Sequence, residues 1–325
     1  MTLDPQLQRF LQHGSRQYGS GQYGSGQYGS AQYGSGQYGS EPLDHPGLDL
    51  DAARRVTYVI EQSFRYEYEA PVRSLRQRLV IVPPARHGGQ HRRAHQLEVT
   101  GAQARRQLRQ DRHGNMVTWL RAEHVAQAVE FRLTAVVERI RRDGHAVLPL
   151  QALRSPALLS PTRLTAADDR LRDLAGRLPS AAVDPLDQAE WVCELVHGSL
   201  EYADGVTSVR TTAAEALAGG RGVCQDMAHV MLALCHLLGL PARYVSGHLI
   251  GQGGTHAWVE VVIPRAQDAI AVPFDPCHGR RAGSSYVTVA TGRDYSDVAP
   301  TSGSYVGTSG SRLTARRRVG VLAAA

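Results

Sequence analysis

Lysine is missing altogether from this chain of 325 residues. All 36 basic side chains are arginine, set against 30 acids, for a formal net charge of +6. No lysine amine of its own is therefore open to crosslinking, and the α-amine is the one amine left. Cysteine is scarce: Cys193, Cys224, Cys235 and Cys277. Four in a chain this long do not make a disulfide scaffold, so a reducing, cytoplasmic compartment is expected. No apolar run approaches the roughly 18 residues that a membrane-spanning helix needs. The opening MTLDPQLQRFLQH lacks the basic start and apolar block of a secretory signal. What is present is 42% hydrophobic residues, enough for real cores and too many for a wholly disordered chain.

The charge is unevenly placed. Between Arg54 and Arg142 stand 18 arginines and 8 acids, while the rest of the chain carries an excess of acid. A basic half raises nucleic acid as a partner. No aromatic-rich RNA-binding motif, paired-cysteine zinc site or basic helix accompanies it, so a solvated sheet face is the plainer reading. Mixed oligonucleotides across a salt series would separate the two.

Three regions follow from composition. Residues 1–50 hold QYGS at Gln17, Gln22, Gln27, Gln32 and Gln37. Glycine and serine at that density bury no core, so a disordered low-complexity tail is expected. Residues 51–149 contain VTYVIEQSFRYEY, in which Val56, Tyr58, Ile60 and Phe64 alternate, followed by further strand-like segments divided by ARHGGQ and DRHGN. These predict a β-rich, sandwich-like antiparallel domain. Its histidines, His87, His91, His95, His113 and His124, read as solvated loop residues rather than metal ligands.

Residues 150–325 carry the chemistry. Asp184 and Pro185 open one helix, and Thr211 or Thr212 opens another that Gly219 and Gly220 close. In RGVCQDMAHVMLALCHLLGLP, Met227, Val230, Met231, Leu234, Leu237 and Leu238 fall at helical spacing, which places this helix at the centre of the core. Cys224 sits in its first turn. Free backbone N–H groups and the positive end of the helix dipole favour a thiolate there, and can receive an oxyanion. A nucleophilic cysteine needs a base and a group to orient it. THAWVEVVIP reads as a strand starting at His256, and AVPFDP as another ending at Asp275. Neighbouring antiparallel strands would set His256 beside Asp275, with the Cys224 helix packed over them. Cys193 and Cys235 lie within helical apolar patterns and read as structural. His229 and His236 read as helix-surface or core-edge residues, and Asp226 as an aid to helix initiation.

GVCQDMAHVMLALCHLLGLPARYVSG, THAWVEVVIP and FDP together resemble the transglutaminase-like superfamily of papain-like cysteine enzymes, and most closely its bacterial branch. The β-rich half resembles the accessory domain of that branch, and YVTVATGRDYSDVAPTSGSYVG its segment beyond the aspartate. The resemblance implies an α+β fold in which a Cys-bearing helix packs on an antiparallel sheet. It implies Cys224 as nucleophile, His256 as general base and acid, and Asp275 as the residue that orients it. The implied reaction is attack on an amide or peptide carbonyl through a thioester that water or an amine resolves. The Cys224 N–H is the expected oxyanion donor and Tyr202 a second candidate. Trp258 is expected either to wall the cleft or to sit in the core. Two positions depart from the pattern: Met227 stands where an aromatic is expected, and Cys277–His278 where Thr-Asn is expected. The second raises a redox lock with Cys224 or metal capture, beside the plainer reading of a tolerated turn substitution.

No cofactor or metal is implied, and there is no calcium-loop pattern. The expected partner is a protein or peptide substrate, with no membrane partner. Hydrolysis is expected over acyl transfer, because the sequence shows no acceptor site. Protein-glutamine crosslinking and a non-catalytic scaffold are the alternatives.

Overall fold

The computed structural model describes residues 49–179, 184–252, 254–308 and 310–325. The QYGS repeats lie outside them. The first alternating segment is β1 (Arg55–Tyr68), which buries Val56, Tyr58, Ile60 and Phe64 on one face. It is followed by β2 (Val72–Val82), β3 (Arg86–His87), β4 (Gln90–Thr100), β5 (Arg105–Gln110), β6 (Met116–Val125) and β7 (Ala128–Ile140). Strand β8 (Ala146–Leu148) leads into the helical region: α1 (Pro156–Leu159), α2 (Asp169–Ala175) and α3 (Pro185–Ser199). The short β9 (Glu201–Tyr202) precedes α4 (Ala213–Gly219), and β10 (Arg221–Gly222) precedes α5 (Cys224–Leu237). A second run of strands follows: β11 (Ala242–Leu249), β12 (His256–Pro264), β13 (Ala269–Asp275), β14 (Arg280–Arg281) and β15 (Tyr286–Gly292). The chain ends with α6 (Tyr295–Val298), β16 (Thr301–Val306) and β17 (Ser311–Ala324).

The caps are those the residue types dictate. The Asp184 side chain accepts from Leu186 N at 2.8 Å to start α3. Thr212 and Glu215 cap α4 reciprocally, and Gly220 ends it in a left-handed conformation.

The β-rich half is a sandwich of two antiparallel sheets, ordered β17-β1-β7-β4-β3 and β16-β2-β6-β5. Its core is filled by side chains such as Tyr58, Phe64, Leu79, Phe131 and Leu133. The expected division into residues 51–149 and 150–325 needs correcting at both ends. Strand β17 pairs with β1 along its length, from Val56↔Ala324 to Tyr68↔Ser311, and β16 pairs with β2. The last strands therefore complete the β-rich sandwich and do not extend the second sheet. Conversely, β8 pairs with β13 and belongs to the second sheet. Alternation identifies a strand but carries no record of its partner, here some 250 positions away.

The second sheet runs β14-β13-β12-β11-β15 and supports α5. Every residue of α5 from Gln225 to Cys235 is buried, because α2, α3 and α4 enclose the side that β12 leaves open. A helix apolar on all sides is one that a fold wraps completely. Each large side chain buried there contributes about 1.5–3 kcal/mol, so the start of this helix is anchored by its middle.

Sheet edges open to solvent are templates for misassociation. A chain ended after Ala299 would lose β16 and β17 and expose β1 and β2. The expected outcome is aggregation or loss of a cooperative thermal transition by circular dichroism. A monodisperse truncated protein with the full-length Tm would show that the sandwich closes without them.

Candidate active site

Gly222 and Val223 deliver Cys224 to the first turn of α5. A Cβ on Gly222 would lie 2.8 Å from both Cβ and Oδ2 of Asp226, so only glycine lets the chain enter at this angle. Asp226 Oδ2 accepts from Val223 N at 2.9 Å and from the Thr207 hydroxyl at 2.6 Å. It thus starts the helix, as expected, and also pins the loop after β9. Burial pushes the Asp226 pKa up against the pull of these two donors. The Cys224 N–H lies among the first-turn donors that have no acceptor within the helix.

Strands β12 and β13 pair in antiparallel register from Val259↔Phe274 to Pro264↔Ala269. The ladder stops three residues short of His256, whose side chain reaches the last residue of β13 from the start of β12. His256 Nε2 meets Asp275 Oδ2 at 2.7 Å, and both side chains are buried. A carboxylate accepts, so Nε2 carries the proton and Nδ1 remains for the sulfur. Burial alone would lower the His256 pKa. The hydrogen bond to Asp275 and the contact with the Cys224 side chain overcome it and push it up to about 10. Burial would raise Asp275, but the His256 bond and charge, with bonds from Tyr286 and His278, hold it at about 2. Cys224, His256 and Asp275 are therefore brought together in space.

The other three thiols are harder to ionise than a free thiol. Burial pushes Cys193 up to about 12 and raises Cys235 and Cys277 as well. All four cysteines are unpaired.

The remaining expected residues divide. Tyr202 stands on β9 opposite Gly222, is half exposed, and donates its hydroxyl to Asp204 Oδ1 at 3.2 Å. It is near enough to Cys224 for burial and the sulfur's charge to raise its pKa. Trp258 is 1% exposed and packs with Val245, Leu249 and Tyr286, so it is core behind His256 and not a wall of the cleft. Its neighbour Gly247 has no room for a Cβ, which would lie 2.5 Å from the indole. His229 is fully buried, where a surface or edge position was expected: α6 closes over it, Tyr295 N donates to its Nε2 at 3.2 Å, and burial lowers it to about 4.

The second departure from the family pattern, Cys277–His278, lands on the aspartate. Cys277 N donates to Asp275 Oδ1 at 2.9 Å, and His278 Nδ1 meets Oδ2 at 2.7 Å. The ligand atoms of His256, Asp275 and His278 lie within 4.8 Å of one another, close enough to consider a metal ion, but here they are hydrogen-bonded among themselves. Sequence reasoning missed Tyr286, which also donates to Oδ2. It missed the buried cluster in which Glu260 meets His87 at 2.6 Å and Arg243 at 2.7 Å. His87 was expected in a solvated loop; it sits between the two halves.

Residues 172–276 match the transglutaminase-like superfamily, and residues 58–138 match the bacterial transglutaminase-like N-terminal region. An uncharacterised protein of Mycobacterium leprae is 34% identical over 169 residues, which cover 47% of this chain and 57% of that relative. The chain thus spans little more than half of it. An uncharacterised protein of Mycobacterium tuberculosis is 27% identical over 280 residues, 77% of this chain and 83% of the relative. Among solved structures, a candidate cysteine protease from Cytophaga hutchinsonii has a TM-score of 0.67 at 23% identity, covering 83% of this chain and 91% of its own. That likeness is one of fold.

The electrostatics of the pair can be tested directly. His256 is raised, so its contribution to stability is complete below pH 6.5 and lost as pH climbs through about 10. Asp275 is lowered, so its contribution is complete above pH 3.8 and lost as pH falls through about 2. In a histidine-resolved NMR titration, the His256 ring is expected to change charge near pH 10, and Asp275→Asn to bring the midpoint down towards 6.5 or below. A wild-type midpoint already near 6.5 would contradict the pairing.

Proposed function

The chain belongs to the transglutaminase-like superfamily, and on that premise we propose that it is a cysteine enzyme that hydrolyses an amide or peptide bond through a thioester on Cys224. The observation that carries this reading is the convergence of the one thiol at the N-terminus of α5 with a buried histidine–carboxylate pair. Cys224 surrenders its proton to His256 Nδ1, and the imidazolium is held by Asp275 through Nε2. The sulfur attacks the carbonyl carbon, and the developing oxyanion is received at the Cys224 N–H, at the positive end of the helix. His256 then gives its proton to the departing nitrogen. The acyl group remains as a thioester, and ammonia or an amine leaves.

Water activated by His256 completes the cycle. Hydrolysis is preferred over transfer because water resolves a thioester unless an acceptor amine is bound, and the sequence marks no acceptor site. An arginine-only chain supplies no lysine for self-crosslinking, so an acceptor, if used, comes from another molecule. The substrate class is a protein or peptide carboxamide. Tyr202, beside Cys224 and half exposed, is the side chain we assign to the oxyanion region. The four unpaired thiols fit a reducing compartment, and among the described residues no helix is long and apolar enough to cross a membrane.

The test is acyl trapping. Incubation with a mixed glutaminyl-peptide library, acid quench and mass spectrometry should show an acyl adduct on the Cys224 peptide. Cys224→Ala should abolish both adduct and turnover, and Asp275→Asn should lower kcat by roughly 10⁴-fold. Adduct formation or turnover undiminished in Cys224→Ala would remove the assignment. Free acid as the product in the presence of millimolar primary amine would favour hydrolysis; amide product would favour the transferase.

A further inference from the structure

Asp275 Oδ2 takes three hydrogen bonds, and one comes from a residue to which no role was assigned from sequence. Tyr286, the first residue of β15, donates its hydroxyl at 2.7 Å, to the same oxygen that His256 and His278 engage. Tyr286 is 2% exposed. Its ring lies edge-on to Trp258, 5.4 Å between centroids, and 5.9 Å from the His256 ring. On the far side, Arg280 Nε donates to the Tyr286 oxygen at 3.2 Å. A phenol has one proton to give. With Arg280 filling an acceptor position, that proton is directed at the carboxylate.

The strand carrying Tyr286 is fastened from outside its own sheet. β15 is the edge strand next to β11, and its pairing slips by one residue between Ser246 and Gly247. Such a bulge reverses which backbone groups face outward, so Thr288 and Thr291 both present N–H and C=O to the sandwich. Gln90 of β4 takes both groups of Thr288, receiving N–H at 2.8 Å and donating to C=O at 2.7 Å. Asn115 does the same for Thr291, at 2.8 and 2.7 Å. Arg139 of β7 donates to the carbonyl of Tyr286 itself at 2.7 Å. Two side-chain amides and a guanidinium thus stand in for the neighbouring strand that β15 lacks.

We propose that Tyr286 is a positioning residue for the Cys224–His256–Asp275 set, and that the β-rich half serves the site by holding Tyr286 in place. This rests on the reading of that set as the catalytic machinery. The carboxylate is gripped on Oδ1 by Cys277 N–H and on Oδ2 from three sides. The titratable groups facing it are His256 from β12, Cys277 and His278 from the following turn, Tyr286 with Arg280 behind it, and Cys193 from α3. Among these, Tyr286 is the donor on the β15 side. Without its hydroxyl the carboxylate keeps the Cys277, His278 and His256 contacts but loses its restraint on the β15 side, so its alignment with Nε2 loosens and its hold on the His256 charge weakens.

The full-length chain is compared with Tyr286→Phe, Tyr286→Leu and the double variant Gln90→Ala/Asn115→Ala. Two readouts apply: the His256 titration midpoint by NMR, and the rate of Cys224 alkylation by iodoacetamide at pH 7, read on the Cys224 peptide. Phe keeps the ring and removes only the hydroxyl. Its expected effect is a midpoint lowered by about one unit or more from about 10, with alkylation slowed about 10- to 100-fold. The double variant, which keeps Tyr286, should shift both readouts the same way. The proposal is overturned if Phe matches the wild type while Leu does not, since ring packing would then suffice. It is also overturned if the midpoint rises, since the hydroxyl would then only be damping the charge of Asp275. A double variant with wild-type values removes the role given to the β-rich half. A wild-type His256 midpoint near 6.5 together with an unreactive Cys224 defeats the catalytic reading itself, a result distinct from all of these.

Discussion

A fully buried carboxylate is costly unless its charge is met on all sides, and Asp275 is met by His256, His278, Tyr286 and the Cys277 backbone. Much of the molecule can be understood as what is needed to assemble those donors. The β12–β13 register brings His256, the turn after β13 brings Cys277 and His278, and β15 brings Tyr286. Each comes from a different part of the second sheet, so the carboxylate remains charged only when that sheet is correctly paired. The ionised carboxylate in turn keeps His256 protonated, and His256 faces the sulfur of Cys224. The imidazole that faces the sulfur is thus held by the pairing of the sheet.

Cys224 is placed by a separate device. Its helix is buried from Gln225 to Cys235, so packing fixes the helix axis, and the close approach of Gly222 to Asp226 fixes the entry of the chain. Asp226 ties that entry to Thr207 and hence to the loop following Tyr202. Helix and sheet meet across β12, so hydrophobic packing brings the sulfur to the imidazole, and hydrogen bonding fixes the imidazole on the carboxylate. The β-rich half adds a third layer. It completes the edge of β15 with side chains and is itself closed by strands that return from the C-terminus. The two halves are consequently interdependent although their cores are distinct.

Legibility differed by the range of the information. The caps of α3 and α4 and the strand pattern of β1 are local, and residue type alone predicts them. Helix-terminus chemistry and neighbouring strands suggested that Cys224, His256 and Asp275 could meet, but their roles came from the resemblance of their three motifs to a family. Trp258 left two roles open because alternation gives a face and not its cover; Tyr286 and Leu249 supply the cover. His229 looked like a helix-edge residue because a polar side chain in an apolar stripe carries no sign that α6 will close over it. Tyr286 was invisible because a tyrosine in a strand has no local mark of a hydrogen bond to a carboxylate across the sheet.

The sequence by itself determined the elements, the position of the thiol in its helix and the residue types of the site, because helix termini, turns and short-range strand pairs are set by contacts within a few tens of residues. Tertiary structure decided the rest. Strands Thr301–Val306 and Ser311–Ala324 belong to the sandwich because the edges of β1 and β2 need partners. His278 and Tyr286 belong to the aspartate because a buried charge gathers every donor that the fold brings within reach.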